Sequence, residues 1–258
     1  MPPESRQRVD GRCRTVAPTP TLGPAADVCE GETVPSSPAD PVLFVDALKG
    51  ASLDAVALRA GFERCSRIVA RHARHLTRLD TVLGDGDHGD NLVIGLRAVD
   101  ELLAELPADT APGEILQAVG HRLVAAVGGA SGPLYGTACI EAGYVAGRSD
   151  VVDGRELALM FRAAAAGLAR RGRCQPGDKT ILDTLAPAAD AFARAIEAGE
   201  TVPAAYAAAL RAGLAGMRST RGLVARRGLA LRLGERSAGH LDPGAASCLL
   251  LLSALGGR

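Results

Sequence analysis

The stretch LRAGFERCSRIVARHARHLTRL, residues 58–79, repeats its less polar side chains at alternating spacings of four and three. Such a spacing places those side chains along one stripe of an α-helix. We therefore expect a long amphipathic helix from Asp46 to Leu79 whose stripe faces a core. The stripe positions are Leu58, Phe62, Cys65, Val69, His72, Leu76 and Leu79.

The same helical period recurs along most of the chain. It predicts further stripes at Leu92, Leu96, Val99, Leu102, Leu103 and Leu106, at Ile115, Val119, Leu123, Val124 and Val127, and at Leu157, Phe161, Ala164 and Leu168. Ala-rich segments near residues 180–197, 204–218 and 245–255 favour helices too. Because aromatic residues make up only 3% of the chain and no β-branched run alternates with period two, no strand is predicted. The predicted fold class is all-α, an antiparallel bundle of roughly seven or eight helices.

Residues 1–40 differ in composition from the rest of the chain. They are rich in Pro, Ser, Thr and Gly and have few apolar groups. A segment of this kind cannot bury enough apolar surface to fold by itself. We predict a disordered tail over residues 1–40 and one folded domain over residues 41–258.

Overall charge and cysteine use exclude several classes of protein. The chain has 29 Lys plus Arg against 29 Asp plus Glu, so no excess charge attracts nucleic acid or an anionic membrane surface. No apolar run reaches the roughly 18 residues of a membrane span, and no signal peptide is recognised. The six cysteines form no CxxC pair, which favours free thiols in a reducing compartment. We expect a cytoplasmic protein.

The loop after the first helix, LDTVLGDGDHGDN at residues 79–91, concentrates negative charge. Asp80, Asp85 and Asp87 are accompanied by glycines that let the carboxylates converge, and crowded like charges require a cation. Oxygen ligands without Cys favour Mg²⁺ or Ca²⁺ over Zn²⁺. An EF-hand that begins at Asp85 fails, because Leu96 occupies the position of its final Glu. Magnesium is the favoured ion, and it usually leaves coordination sites for phosphate.

Two further loops have glycines at spacings found in phosphate-binding loops. Residues 128–136, GGASGPLYG, offer small residues whose backbone N–H groups can face an anion, with the Ser131 hydroxyl beside them at a predicted helix start. Residues 171–183, RGRCQPGDKTILD, keep the glycine spacing of a Walker A loop, but Asp178 precedes the lysine and an Ala-rich helix replaces the strand. We therefore reject a P-loop.

The last Gly-rich loop, LGERSAGHLDPGAAS at residues 233–247, precedes an apolar terminal helix. Asp242 is placed to cap that helix, and Pro243 suits its first position. By itself this pattern predicts a helix cap and no ligand.

Together the four loops resemble one family. LDTVLGDGDHGDNL, GGASGPLYGT, GRCQPGDKTILD and LGERSAGHLDPGAAS occur in the order and at the approximate separations found in the nucleotide-binding L subunit, or DAK2 domain, of bacterial dihydroxyacetone kinases. The resemblance covers residues 45–255. It implies an eight-helix antiparallel barrel that holds ADP or ATP in the loops at one end.

The resemblance also implies a role for each motif residue. Asp80, Asp85 and Asp87 would ligate two magnesium ions that bridge the nucleotide phosphates. Gly172 and Ile181 would border the adenine. The full set of residues implied to contact the nucleotide is His88, Gly89, Asp90, Asn91, Ala130, Ser131, Gly172, Ile181, Asp242, Pro243 and Gly244.

The resemblance implies partners as well. In this family the sugar is bound by a separate K subunit or domain, which this chain does not resemble, so the chain is expected to be one part of a kinase for dihydroxyacetone or a related ketose. His88 stands where many ATP-dependent members have cysteine, which favours the branch whose L subunit keeps ADP and is rephosphorylated by a phosphotransferase-system M subunit. An ATP-dependent kinase subunit for another short sugar is the alternative. A homodimer is one open oligomeric state.

One position departs from the family pattern. Members commonly read RKGRASYLGERS before the last loop, and the arginine after the glycine is expected to reach the phosphates, whereas this chain reads RRGLALRLGERS with Leu229 there. A leucine cannot replace a guanidinium fork. Arg232, one helical turn on, is the candidate catalytic residue that reaches in instead. The competing reading is a non-catalytic protein that binds nucleotide and signals its load to a partner.

Overall fold

The computed structural model describes residues 52–257, which form eight α-helices and a two-stranded sheet. The expected all-α fold is confirmed, while the predicted tail over residues 1–40 lies outside the described residues. The helices are α1 (Ala55–Leu83), α2 (His88–Glu105), α3 (Pro112–Ala126), α4 (Ser131–Ala146), α5 (Gly154–Gly172), α6 (Leu182–Glu197), α7 (Val202–Ser219) and α8 (Pro243–Leu255). The strands β1 (Ser52–Asp54) and β2 (Val151–Asp153) pair antiparallel, and two 3₁₀ segments, Thr220–Gly222 and Leu229–Ser237, lie between α7 and α8.

The start of α1 differs from the prediction. The helix was expected from Asp46, but residues 46–51 lie outside the described part and residues 52–54 form β1. Asp54 ends the strand and caps the helix, because its side chain accepts a 2.8 Å hydrogen bond from the backbone N–H of Ala57. The helix therefore begins at Ala55.

The end of α1 also lies beyond the predicted residue. The helix continues to Leu83, and its buried stripe runs through Asp80 and Leu83, whereas Leu79 is only half-buried. This later end places Asp80 in the last turn of a helix and not in a loop. A rigid element therefore carries the first carboxylate of the acidic motif.

The helices form a closed ring in which each packs against the next and α8 packs against α1. Arg64 of α1 donates a 2.8 Å hydrogen bond to the carbonyl of Ala254 at the C-terminal end of α8. On the other side of α1, Arg59 donates a 2.6 Å hydrogen bond to the carbonyl of Leu103 near the end of α2. A cation at a helix C-terminus also opposes the negative end of the helix dipole. Both contacts strengthen the attachment of α1 to its two neighbours in the ring.

The interior of the ring is apolar. A cavity of about 200 Å³ lies within it, lined by side chains that include Phe62, Phe161 and Leu252. Helices α3 and α4 also approach closely, since a Cβ on Gly120 would lie 2.6 Å from the Gly136 carbonyl and the reverse distance is also 2.6 Å. Although the interior is apolar, no helix in the described part of the chain is long and apolar enough to cross a membrane.

Alternate connections of the ring share one end, which we call the loop end. The connections before α2, α4, α6 and α8 meet there. Ser131 at the start of α4 lies within hydrogen-bond distance of His88 at the start of α2, and Lys179 before α6 donates to the carbonyl of His240 before α8. All four motifs that the sequence singled out therefore lie at the same end of the ring.

Candidate functional site

Three carboxylates meet at the loop end where α1 passes into α2. The oxygens that Asp80, Asp85 and Asp87 offer to a cation all lie within 4.8 Å of one another. Asp80 is buried, whereas Asp85 and Asp87 are exposed in the loop that follows α1. A donor set made only of carboxylate oxygens suits a hard cation such as Mg²⁺. The structure thus brings together the three residues that the sequence indicated as metal ligands.

Asp80 also organises the loop that carries the other two carboxylates. Its Oδ2 atom accepts hydrogen bonds from the backbone N–H groups of Gly86 at 3.0 Å, Asp87 at 3.1 Å and His88 at 3.2 Å. The loop can wrap this closely because a Cβ at Gly84 would lie 2.2 Å from Asp80 Oδ1 and because Gly86 has a φ of 77°. The conformation of the acidic loop therefore depends on one buried carboxylate.

His88 is the first residue of α2 and is buried between three helices. Its Nδ1 atom lies 3.0 Å from Oγ of Ser131 in α4, and its Nε2 atom lies 2.8 Å from Oγ of Ser247 in α8. The Tyr135 hydroxyl lies 2.6 Å from Ser247 Oγ and donates to the Gly244 carbonyl at 3.2 Å. Four polar side chains therefore form one chain of hydrogen bonds across the loop end.

The environment of His88 favours a neutral imidazole. Burial lowers the pKa of His88 below its ordinary value, and the nearby carboxylates of Asp80 and Asp87 oppose this change. A neutral imidazole has one donor and one acceptor nitrogen, and a serine hydroxyl can serve either one. His88 is therefore a connecting group that supplies hydrogen bonds and no positive charge.

The Gly-rich loop before α4 presents an uncapped helix start. The helix begins at Ser131, as predicted, and its N-cap residue Ala130 makes no side-chain capping bond. Gly129 has a φ of 66°, and a Cβ on Gly128 would lie 2.9 Å from Oδ1 of Asn91 in α2. The backbone N–H groups of this helix start carry the positive end of the helix dipole. They lie beside the start of α2.

The remaining two residues at the start of α2 have different surroundings. Gly89 is buried against α1, where a Cβ would lie 2.1 Å from the carbonyl of Ala73. Asp90 is exposed in the first turn of α2. The first position therefore serves close helix packing, while the second is accessible to solvent.

The connection between α5 and α6 folds around two buried carboxylates. Asp183 accepts hydrogen bonds from the backbone N–H groups of Gly177 at 2.5 Å and Thr180 at 2.7 Å. Asp178 lies 3.5 Å from Nε of Arg227, which is half-exposed. Because the connection follows helix α5 and no strand, the rejection of a P-loop is confirmed.

Lys179, in the same connection, is almost fully buried, with 1% of its surface exposed. Its ammonium donates hydrogen bonds of 2.5 Å to the carbonyls of Thr220 and His240. Burial lowers the pKa of Lys179, and the carboxylates of Asp242 and Asp183 oppose this change. Lys179 thereby ties the α5–α6 connection to the α7–α8 connection.

Asp242 caps α8 as predicted, since its side chain accepts a 2.7 Å hydrogen bond from the backbone N–H of Ala245, and Pro243 lies in the first turn. The carboxyl group is buried, and burial raises its pKa to about 7. The hydrogen bond from Ala245 and the charge of Lys179 oppose that rise. An acidic group that titrates near neutral pH therefore stands at the start of the last helix.

The two residues expected beside the adenine contact different helices. Ile181 is buried against the start of α8, because a Cβ on Gly244 would lie 2.7 Å from the Ile181 side chain. Gly172 ends α5 and is half-buried, and a Cβ there would lie 3.2 Å from Leu134 of α4. Thus Ile181 and Gly244 are in contact, while Gly172 lies next to α4.

Known proteins match this chain in sequence and in fold. The family model described as the DAK2 domain matches residues 82–257, which is more than half of the chain. The chain belongs to the DAK2 domain family. The resemblance drawn from the four loop motifs is thereby confirmed.

Several curated relatives share the DAK2 domain. The PEP-dependent dihydroxyacetone kinase ADP-binding subunit DhaL of Escherichia coli (strain K12) is 40% identical over 74% of this chain and 91% of its own length. The corresponding subunit of PEP-dependent dihydroxyacetone kinase 2 from Listeria innocua is 40% identical over 73% of this chain and 87% of its own length. L-erythrulose 1-kinase of Mycolicibacterium smegmatis is 34% identical over 76% of this chain but only 34% of its own length.

Solved structures share the fold of this DAK2 domain. The native dihydroxyacetone kinase of C. freundii matches with a TM-score of 0.60 and 24% identity, covering 91% of this chain and 39% of that chain. The same kinase in complex with AMP-PNP and Mg²⁺ matches with a TM-score of 0.58 and 23% identity. This chain therefore has the all-α fold of one part of that kinase and spans less than half of its length.

Leu229 stands where the resemblance to other DAK2 domains places an arginine. It begins the second 3₁₀ segment and is 41% exposed. Its neighbour Ala230 is buried in a small apolar cluster with Leu83, so the segment packs against the end of α1 beside the acidic loop. Residues three apart eclipse each other in a 3₁₀ helix, so Arg232 shares the face of Leu229. Arg232 is exposed.

The sequence prediction missed several buried polar side chains of this DAK2 domain, among them Tyr135, Ser247 and Lys179. Tyr135 and Ser247 lie inside predicted motifs but were not assigned a role, and Lys179 was considered only as part of a rejected P-loop. The signal available in the sequence was that these hydroxyl and ammonium groups occur in helix starts and loops whose other residues predict burial. Only the tertiary structure shows which groups they meet.

Proposed function

We propose that this chain is the nucleotide-binding subunit of a kinase that phosphorylates dihydroxyacetone or a related ketose. The observation that carries the proposal is the cluster of Asp80, Asp85 and Asp87 beside the N-terminal ends of α2 and α4. Phosphoryl transfer depends on positioning and charge neutralisation more than on covalent chemistry, and this arrangement offers both. The relative from Escherichia coli, at 40% identity, is named an ADP-binding subunit of dihydroxyacetone kinase.

In this proposal Asp80, Asp85 and Asp87 hold two Mg²⁺ ions. When bound there, the metal neutralises charge on the nucleotide phosphates. Since Oδ2 of Asp80 accepts three backbone hydrogen bonds, its Oδ1 atom is the proposed ligand. The match to a kinase structure that contains AMP-PNP and Mg²⁺ supports the choice of metal.

We place the nucleotide phosphates between the starts of α2 and α4. The hydrogen bond between His88 and Ser131 and the contact between Asn91 and Gly128 support this placement, because they hold the two helix starts side by side. Anions are favoured at helix N-termini. The proposed nucleotide contacts are His88, Gly89, Asp90, Asn91, Ala130 and Ser131 for the phosphates, Gly172 and Ile181 for the adenine, and Asp242, Pro243 and Gly244 at the edge of the pocket.

We further propose that the ketose is bound on a separate K subunit and that bound ADP is rephosphorylated by an M subunit of the phosphotransferase system. The identity of 40% to two PEP-dependent subunits, against 34% to L-erythrulose 1-kinase, supports this donor. A second candidate is an ATP-dependent kinase subunit for a different short ketose. The observation in its favour is the match to kinases named for L- and D-erythrulose, at 34% and 35% identity.

The first test is to purify the full chain with Mg²⁺ and no added nucleotide, denature it and quantify what is released. Near-stoichiometric ADP supports the proposal with ADP as a retained cofactor. An empty protein that binds Mg-ATP reversibly supports the ATP-dependent candidate. A protein that binds neither nucleotide overturns both.

The metal assignment is tested with a matched pair of substitutions. D87N removes a carboxylate from the cluster, and D109N removes an exposed carboxylate from the α2–α3 connection at the opposite end of the ring. We expect D87N to weaken Mg-ADP binding at least about tenfold and D109N to leave it unchanged. Equal affinities for the two variants would contradict the metal assignment.

A further inference from the structure

The chain of hydrogen bonds through His88 joins the starts of the three helices that surround the proposed phosphate position. His88 begins α2, Ser131 begins α4, and Ser247 and the Gly244 carbonyl belong to the first turns of α8. The contacts run from the Tyr135 hydroxyl to Ser247 Oγ at 2.6 Å, to His88 Nε2 at 2.8 Å, and from His88 Nδ1 to Ser131 Oγ at 3.0 Å. Each helix start that these hydrogen bonds join also carries a residue of the proposed nucleotide site.

The chain of hydrogen bonds through His88 lowers stability if its only role is to fill the core. Tyr135, Ser247 and His88 are buried, and each buried polar group loses its hydrogen bonds to water. A large cluster of apolar side chains fills most of the ring interior, and an apolar set at this position would pack without that cost. A fully satisfied polar chain, by contrast, fixes a single arrangement of the helices that it joins.

The position of His88 gives this arrangement a purpose. The residue directly precedes Gly89 and follows Asp87, so its backbone joins the acidic loop to α2. Its backbone N–H also donates to Oδ2 of Asp80 at 3.2 Å. His88 therefore contacts the carboxylate cluster through its backbone N–H and the uncapped start of α4 through its imidazole.

We infer that Tyr135 and Ser247 are positioning residues that act through His88 to hold the acidic loop and the start of α4 at the separation needed by a metal-bound nucleoside diphosphate. The inference rests on the proposed function, and neither residue is assigned a contact with the nucleotide. Tyr135 fixes the Ser247 hydroxyl, Ser247 fixes the ring, and the ring fixes Ser131. Loss of either hydroxyl leaves the ligands in place but loosens their mutual geometry.

Tyr206 provides a matched control for Tyr135. Its hydroxyl is also buried and also donates to a carbonyl of α8, that of Leu252, at 2.6 Å. The bond lies further along the same helix, outside the proposed site. Y135F and Y206F therefore remove the same atom from the same kind of bond, and only the first removes it from the chain through His88.

The experiment measures the Kd for Mg-ADP by calorimetry on the full chain for the wild type, Y135F, S247A, Y206F, H88A and the double variant Y135F/H88A. Unfolding in urea is recorded for each variant, and S247A keeps the test valid where Y135F fails to fold. We expect Y135F and S247A to raise the Kd about tenfold, as loss of a supporting hydrogen bond beside a metal site does. Y206F should stay within about twofold of the wild type, and Y135F should add less than about twofold in the H88A background.

The outcomes separate the inference from the proposed function. Wild-type protein that binds no Mg-ADP overturns the proposed function and the inference with it. Wild-type binding with equal effects of Y135F and Y206F, or with effects of Y135F and H88A that multiply, overturns the inference alone. Weak binding by Y135F that disappears as a separate effect in the H88A background supports it, because a general loss of stability would not depend on His88.

Discussion

The backbone N–H of Asp87 donates a 3.1 Å hydrogen bond to Oδ2 of Asp80, so one carboxylate of the acidic cluster holds another in position. Asp80 serves the fold of the loop as well as the proposed metal, whereas Asp87 is exposed and contributes its charge to the cluster. Both residues are aspartates of the same acidic motif. They should differ sharply when each is removed from metal-free protein.

We expect D80A to lower the free energy of unfolding of metal-free protein by about 2–4 kcal/mol, because three backbone N–H groups lose a charged acceptor. D87N should change it by no more than about 0.5 kcal/mol, or raise it, because one of several crowded like charges is removed. Urea unfolding with a chelator present measures both. Similar losses for the two variants would show that Asp80 does not organise the loop.

Substitutions at Leu229 and Arg232 are expected to change nucleotide affinity in opposite directions. R232A should weaken Mg-ADP binding about tenfold, and L229R should strengthen it by a similar factor, because a guanidinium pairs strongly with phosphate. R236A, an exposed arginine beyond the kink at Gly234, is the control for general charge. Titration calorimetry on the variants distinguishes the roles. Equal effects of R232A and R236A would mean that Arg232 acts only through overall charge.

Asp242 predicts a dependence of stability on pH. Its folded-state pKa of about 7 lies above the ordinary value of 3.8, so between these pH values the folded protein holds a proton that the unfolded chain has released. The free energy of unfolding contributed by this group therefore falls as pH rises toward 7 and is level above it. D242N lacks this titration, and Asn also caps helices. The free energy of unfolding of D242N should therefore rise relative to that of the wild type as pH increases toward 7, by an amount on the order of a few kcal/mol.

The measurement for this prediction is the difference in the free energy of unfolding between D242N and the wild type from pH 5 to 8. The other titrating groups are present in both proteins, so the difference reports the titration of Asp242 together with its coupling to Lys179 and Asp183. A difference that does not change with pH would contradict the raised pKa. A difference that falls as pH rises would show that folding lowers the pKa of Asp242 and does not raise it.

Substitution of Lys179 is expected to cause a large loss of stability that is partly coupled to Asp242. K179M keeps the apolar stem but leaves the carbonyls of Thr220 and His240 without their buried donor, and we expect the free energy of unfolding to fall by about 3 kcal/mol. The neighbouring Asp242 then has no cation beside it, so K179M/D242N should be less destabilised than the sum of the two single variants. Urea unfolding of the three variants tests the coupling. Strict additivity would show that the two charges do not interact.

The sequence predicted most of the architecture because helical periodicity is a local property. The stripe through Leu58, Phe62 and Val69 is buried as expected. The helix boundaries were less accurate: Asp80 reads as a loop residue beside glycines, yet it belongs to the buried stripe of α1. The strands β1 and β2 have three residues each, too short to show a period of two.

The site was predicted only where the chemistry is concentrated in one segment. Asp80, Asp85 and Asp87 could be grouped from a single loop, and the structure brings them together. The contact between His88 and Ser247 joins residues 159 positions apart, and no local pattern predicts such a pair. The same holds for Lys179, whose partners lie in a different connection of the ring.

The closure of the ring by α8 has a consequence for the order in which the protein can mature. The proposed site takes Asp80 from α1, Ser131 from α4 and Asp242 at the start of α8, so its parts are spread over nearly the whole described chain. During synthesis the carboxylates emerge long before the helix that completes the pocket. A nascent chain that ends before α8 should therefore be unable to retain nucleotide, and ligand retention would report that α8 has been synthesised and has closed the ring.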